Sequence, residues 1–166
     1  MLYSTEATVL LNEVFKVIQV PLEIIGFTDC GATPVMFIYK PFNKLRLPEE
    51  ELVDYIGSSS LQMSGNPDGD CILWTYDRLL KRKEKKRLLL VMSDGQPAAS
   101  RYSKGLSGFT YKVIDEIEQA KKVDIYGFGL CDESVKEYYT HHSTVHSAEE
   151  IPLKLLELLE RKLFNV

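Results

Sequence analysis

The stretch Arg87–Pro97, RLLLVMSDGQP, decides how the rest of the chain is read. Leu88, Leu89, Leu90, Val91 and Met92 form an unbroken apolar run of strand length. Such a run fits a strand buried on both faces of a parallel sheet. It stops abruptly at Ser93-Asp94-Gly95. A carboxylate at the carboxyl end of a central parallel strand stands where open α/β sheets place their ligands. Asp and Gly are equally ordinary turn formers, so the flanking chain has to decide between a turn and a site.

Downstream, strands and helices alternate. A polar loop, Gln96–Gly108, leads to a helix over Phe109–Lys121 with Val113, Ile117 and Ala120 facing inward. Val123–Leu130, VDIYGFGL, reads as the next buried strand. Asp132 is placed to cap a short helix over Glu133–Tyr139, since Asp is a favoured N-cap. Ser143–His146 reads as a short strand, and Ser147 opens a last helix with Ile151, Leu155, Leu158 and Leu159 as its stripe. This order implies parallel strands joined by right-handed helical crossovers.

Upstream, Thr5–Gln19 carries Leu11, Val14, Phe15 and Ile18 at helical spacing, and Pro21 ends that helix. Leu22–Thr28 and Val35–Tyr39 read as strands paired across the turn Asp29–Pro34, one of them an edge. Pro48-Glu49-Glu50-Glu51 opens a helix to about Ile56, with a loop over Gly57–Ser60. Turn formers cluster at Ser64–Gly69, and Asp70–Lys81 reads as a helix with Leu73, Tyr76 and Leu80 on one face. The expected fold class is α/β: a three-layer doubly wound sandwich, mostly parallel, with an antiparallel hairpin edge strand. A chain of 166 residues is expected to form a single domain over 1–166.

Composition narrows the function. Hydrophobic residues make up 45% and charged residues 27%, an ordinary globular balance. The net charge of −4 argues against non-specific nucleic-acid binding, which needs a basic footprint. The basic run Lys81–Arg87, KRKEKKR, is short, has no aromatics for base stacking, and reads as a solvated link from helix to strand. No apolar run has membrane-spanning length and no signal peptide is visible, so no membrane partner is expected. Cys30, Cys71 and Cys131 lie far apart, form no CxxC pair, and read as reduced core thiols of a cytoplasmic protein.

Catalytic patterns are sparse. His141, His142 and His146 give HHxxxH, but Ser143-Thr144-Val145 reads as a strand, which takes His142 and His146 off a shared helical face. No phosphate loop, three-glycine dinucleotide fingerprint or Gly-x-Ser-x-Gly elbow is present. Oxygen donors remain. Asn66 and Asp68 lie in the loop entering the helix before the Leu88–Met92 strand, and in the expected fold they converge with Asp94. Hard oxygens of this kind suit Mg²⁺ rather than zinc.

Those residues resemble a family. LLLVMSDGQP (Leu88–Pro97) is similar to the strand and SDG corner of von Willebrand factor A (VWA) domains. Further motifs resemble the C-terminal domain of the cobaltochelatase subunit CobT and its phage-borne relatives: EIIGF (Glu23–Phe27), FIYKPFN (Phe37–Asn43), NPDGDCILWTYDRLL (Asn66–Leu80) and YGFGLCDESVKEYY (Tyr126–Tyr139). The closing segment Val145–Phe164 resembles the family's last strand and helix.

The resemblance implies a metal-ion-dependent adhesion site with Asp94 in its third loop and Asn66 or Asp68 in its second. It implies a non-catalytic interaction module that acts with an AAA+ ATPase partner in cobalt insertion for cobalamin biosynthesis. The family's first strand and Asp-x-Ser-x-Ser loop have no counterpart in the sequence. The expectation is therefore an N-terminally incomplete VWA-like domain, with Mg²⁺ held weakly or not at all by Asp94, Asp68 and Asn66, and without the first central strand. The hairpin and the later strands would lose their shared neighbour, and a homodimer through the exposed sheet edges would follow. The alternatives are a phage-encoded VWA interaction domain unrelated to chelation, and a metal-dependent hydrolase built on the histidines.

Overall fold

The computed structural model describes residues 2–31, 33–60, 64–94, 96–97, 105–147 and 149–164. The chain forms two compact units. One comprises Met1–Gly26, Ile38–Leu61 and Val145–Val166, the other Phe27–Phe37 and Gln62–Thr144. The described strands fall into two separate sheets, a two-stranded β1–β2 and a three-stranded β3–β4–β5. The architecture is mixed α/β, with the longer sheet parallel and the shorter antiparallel.

The first unit is built on helices. α1 (Leu2–Val17) packs against both α2 (Glu49–Ser60) and α5 (Glu150–Phe164). The buried face of α1 is Ala7, Thr8, Leu11, Asn12 and Phe15. Ile18 lies outside the helix and is 47% exposed, so the inward stripe runs closer to the N-terminus than the aliphatic spacing indicates. Leu52 and Ile56 face inward from α2, and Ile151, Leu155 and Leu158 from α5. The side chain of Leu159, expected in the same stripe, lies outside the described residues.

Gly57–Ser60 was expected as a loop and is helical. Its serines are accommodated by the helix backbone. Ser58, Ser59 and Ser60 each donate to a carbonyl one turn back, on Asp54, Ile56 and Gly57, at 2.7, 2.9 and 2.7 Å. Serine can return its hydroxyl to the helix backbone instead of breaking it. Ser59 is also hydrogen-bonded to the Tyr39 hydroxyl.

β1 (Ile24–Cys30) and β2 (Thr33–Lys40) form the hairpin. They reach further toward the turn than their β-branched cores, leaving only residues 31 and 32 between them. Gly31 has φ +62°, a conformation that two-residue hairpin loops require and glycine adopts without strain.

In the second unit β4 (Asp124–Leu130) is the central strand, buried from Ile125 to Leu130. β3 (Leu88–Ser93) pairs with it in parallel, with Leu88 opposite Asp124 and Ser93 opposite Gly129. Only Leu89 and Val91 of β3 are buried. The LLLVM run is therefore not fully covered on both faces; among the described residues β3 is an edge of its sheet and β4 takes the central place expected for it. β5 (His142–Val145) lies on the other side of β4.

α3 (Asp68–Leu80) packs on β3, α4 (Leu106–Ala120) packs on β4, and the two helices pack on each other. Cys71, Ile72 and Leu79 face inward from α3, while Leu73, expected inside, is 41% exposed. Val113, Ile114 and Ile117 face inward from α4, and Ala120 is exposed. The short helix expected after Asp132 is a single 3-10 turn, Ser134–Glu137. Asp132 caps it from two residues away, accepting from the Ser134 N–H at 2.7 Å.

Candidate functional site

The site grows from the start of α3. Asp68 is its first helical residue and is 4% exposed. A helix N-terminus favours an anion, yet burial pushes the Asp68 carboxyl up to about 7. A hydrogen bond from its own backbone N–H acts against this, and the nearby Asp94 carboxylate adds to it. Oδ2 of Asp68 has no hydrogen-bond partner. An unsatisfied buried acceptor costs about 1–3 kcal/mol, and more when charged, so this carboxylate is poised for a ligand that supplies positive charge or a proton.

Asp68 lines a small cleft together with Ser93, Pro97, Thr110, Ser134, Val135, Tyr138 and Tyr139. Its free volume is about 10 Å³, room for one water or one bare ion. Gly69 makes this closeness possible. A Cβ there would lie 2.6 Å from the Phe109 ring and 3.2 Å from Thr110 Cα, so only glycine lets α4 come this near to the start of α3. Thr110 is 1% exposed, and its Oγ1 is likewise without a partner.

Asp94 follows β3 directly and is exposed. Of the three sequence-predicted ligands, Asp68 and Asp94 are brought within electrostatic reach of each other. Asn66 is half-buried in an isolated bridge two residues before Asp68 and is not among the residues lining the cleft. Gly95 and most of the loop after Pro97 lie outside the described residues. Two carboxylates with hydroxyls around them form a hard-oxygen set that fits a Mg²⁺-like cation in kind. The set is sparse: among the described residues no three His, Cys, Asp or Glu side chains are grouped to hold a metal ion.

The histidines do not form a second centre among those residues. His141, His142 and His146 are all exposed, and Nδ1 of His142 lies 2.8 Å from the Tyr139 carbonyl oxygen. The cysteines form no disulfide, but only Cys71 is buried, so the reading of three core thiols holds for that one alone. The exposed pair sits at the ends of strands β1 and β4, where the chain turns out to solvent. Sequence reasoning missed Thr110. The signal was there: a lone hydroxyl three and four residues ahead of Val113 and Ile114, on the buried stripe of α4.

A strand leading into SDG, a buried acid at the start of the helix before it and a parallel α/β unit around them are the features of a VWA-type domain. The family described as "Cobalamin biosynthesis protein CobT VWA domain" matches residues 56–165, and the chain belongs to it. The matched span takes in the whole Asp68–Asp94 site. No solved structure matches the chain significantly.

Proposed function

We propose that the chain is a non-catalytic, metal-dependent protein-interaction module of the CobT type. Its site is the Asp68–Asp94 pair, and its partner is an AAA+ ATPase chelatase subunit in cobalt insertion for cobalamin biosynthesis. The observation that carries this reading is the buried Asp68 carboxylate, with one oxygen unpartnered and Asp94 beside it. Its support is membership of the CobT VWA family.

Asp68 holds the inner position, fixed by the first turn of α3. Asp94 holds the outer, solvent-facing position at the end of β3. A bound Mg²⁺ would supply a hard positive centre open to an incoming carboxylate from a partner. Asn66 is a peripheral donor in this scheme, close in sequence but not in the cleft.

With two carboxylates the affinity is expected to be low, a Kd on the order of 1 mM, because Mg²⁺ dehydrates reluctantly. Calorimetric titration with MgCl₂ tests this. Asp94→Ala should weaken binding by about tenfold or more. Binding unaltered by Asp94→Ala would remove the site. A Kd near 1 μM would remove the claim that the donor set is weak. Pull-down of the ATPase subunit, with and without Mg²⁺, tests the partner.

A further inference from the structure

Thr110 is the residue whose behaviour the adhesion-site pattern does not explain. A threonine inside a helix ordinarily returns its hydroxyl to the carbonyl four residues back. Two others here do so: Thr8 donates to Ser4 O at 2.7 Å, and Thr75 to Cys71 O at 2.8 Å. Thr110 forgoes that bond although Leu106, four residues back, already belongs to α4 and Thr110 is 1% exposed. Thr110 lines the same cleft as Asp68, and Asp68 Oδ2 is likewise a buried oxygen without a partner. Gly69, with no side chain, permits the approach of the two helices that brings them together.

Two buried oxygens, each with a lone pair unused, beside a space for one small guest are complementary to a cation. The carboxylate offers lone pairs alone; the hydroxyl offers a lone pair and a rotatable proton. We propose that Thr110 Oγ1 is a third oxygen ligand of the site, supplied from α4 rather than from the loops at the strand ends, and that it holds a small hard cation in the cleft with Asp68. This rests on the reading of Asp68 and Asp94 as cation donors. It makes the site deeper than a loop-borne one: its innermost ligands belong to two packed helices, with Asp94 exposed and within electrostatic reach of Asp68.

The test is titration with Mn²⁺ alone, followed by electron paramagnetic resonance of the free ion, on the whole chain. The variants are Thr110→Val, Thr110→Ser and Asp94→Ala. Thr110→Val keeps the shape and removes the hydroxyl; it should weaken Mn²⁺ binding by about fivefold. Thr110→Ser should restore most of it, which a purely structural role of the methyl group would not do. Circular dichroism melts confirm that each variant is folded. If Asp94→Ala weakens binding while Thr110→Val equals the parent, Thr110 is no ligand and only this proposal falls. If the parent binds no Mn²⁺, this proposal and the metal-dependent function fall together.

Discussion

Asp68 is the residue on which the chemistry and the stability of this protein meet. Its carboxyl titrates at about 7 in the fold, against 3.8 in an unfolded chain. The folded state therefore binds the proton more tightly than the unfolded state. The stabilisation is complete below about pH 4 and is lost as pH rises through 7. In metal-free solution, urea unfolding should give a stability that declines between those values, by on the order of 2–4 kcal/mol. Asp68→Asn should flatten that dependence and make the protein more stable at pH 8. A pH dependence left unchanged by Asp68→Asn would show that this carboxyl is not the group responsible.

The same residue shows what one sequence can disclose. Asp68 and Asp94 were legible because acids at a helix start and a strand end have a physical reason to converge in an α/β fold. Thr110 left a signal on the buried stripe of α4, but a hydroxyl there is read as a tolerated exception until its missing hydrogen bond is seen. Asn66 was legible as a donor, but nothing in its spacing reveals that the chain carries it past the cleft.

At the scale of elements, the periodic segments declared themselves and their ends did not. All five helices and all five strands lie within a few residues of the spans expected from spacing. The clearest miss, Gly57–Ser60, came from reading serine as a loop former without counting the carbonyls it can reach one turn back. The coverage of β3 was misjudged: Leu88, Leu90 and Met92 are only half-buried, and an unbroken apolar run does not tell one covered face from two.

Two glycines make these element-level arguments measurable. Gly57 is helical, and a Cβ there would meet nothing within 4 Å. Gly57→Ala should raise stability by about 0.5–1 kcal/mol in thermal melts. Gly129, in β4, is the opposite case: a Cβ would run into the Asp132 carbonyl oxygen and lie 2.9 Å from Val135 Cγ2. Gly129→Ala should lower stability by about 1–3 kcal/mol. If Gly129→Ala were neutral, the 3-10 turn would not be held against β4 as tightly as described.

For the whole molecule, the sheet count carries the argument. Among the described residues five strands are divided between two sheets, and β3 offers one side to no strand. Open edges with unpaired backbone groups recruit further strands. Self-association is therefore expected, and sedimentation velocity over a concentration series should show a rising mean mass. A sharp, concentration-independent monomer would mean that the edges are shielded. The two-sheet division is consistent with the expectation that hairpin and later strands lack a shared neighbour. That expectation came from family resemblance, since hydrophobic periodicity reports a strand's faces and says nothing of its neighbours.

The three thiols differ in a way that provides a built-in clock. Cys30 and Cys131 are exposed, while Cys71 is 2% exposed and its thiol is pushed up to about 12, first by burial and then by the nearby Asp68 and Asp70 carboxylates. Only the thiolate reacts with alkylating reagents. Two groups should label at once, and the third only when α3 lifts away. Cys71 lies one helical turn beyond Asp68, so the slow labelling phase would time how often the floor of the acidic cleft opens to solvent. That rate is readable by mass spectrometry on the unaltered chain, without a ligand or an assay of activity.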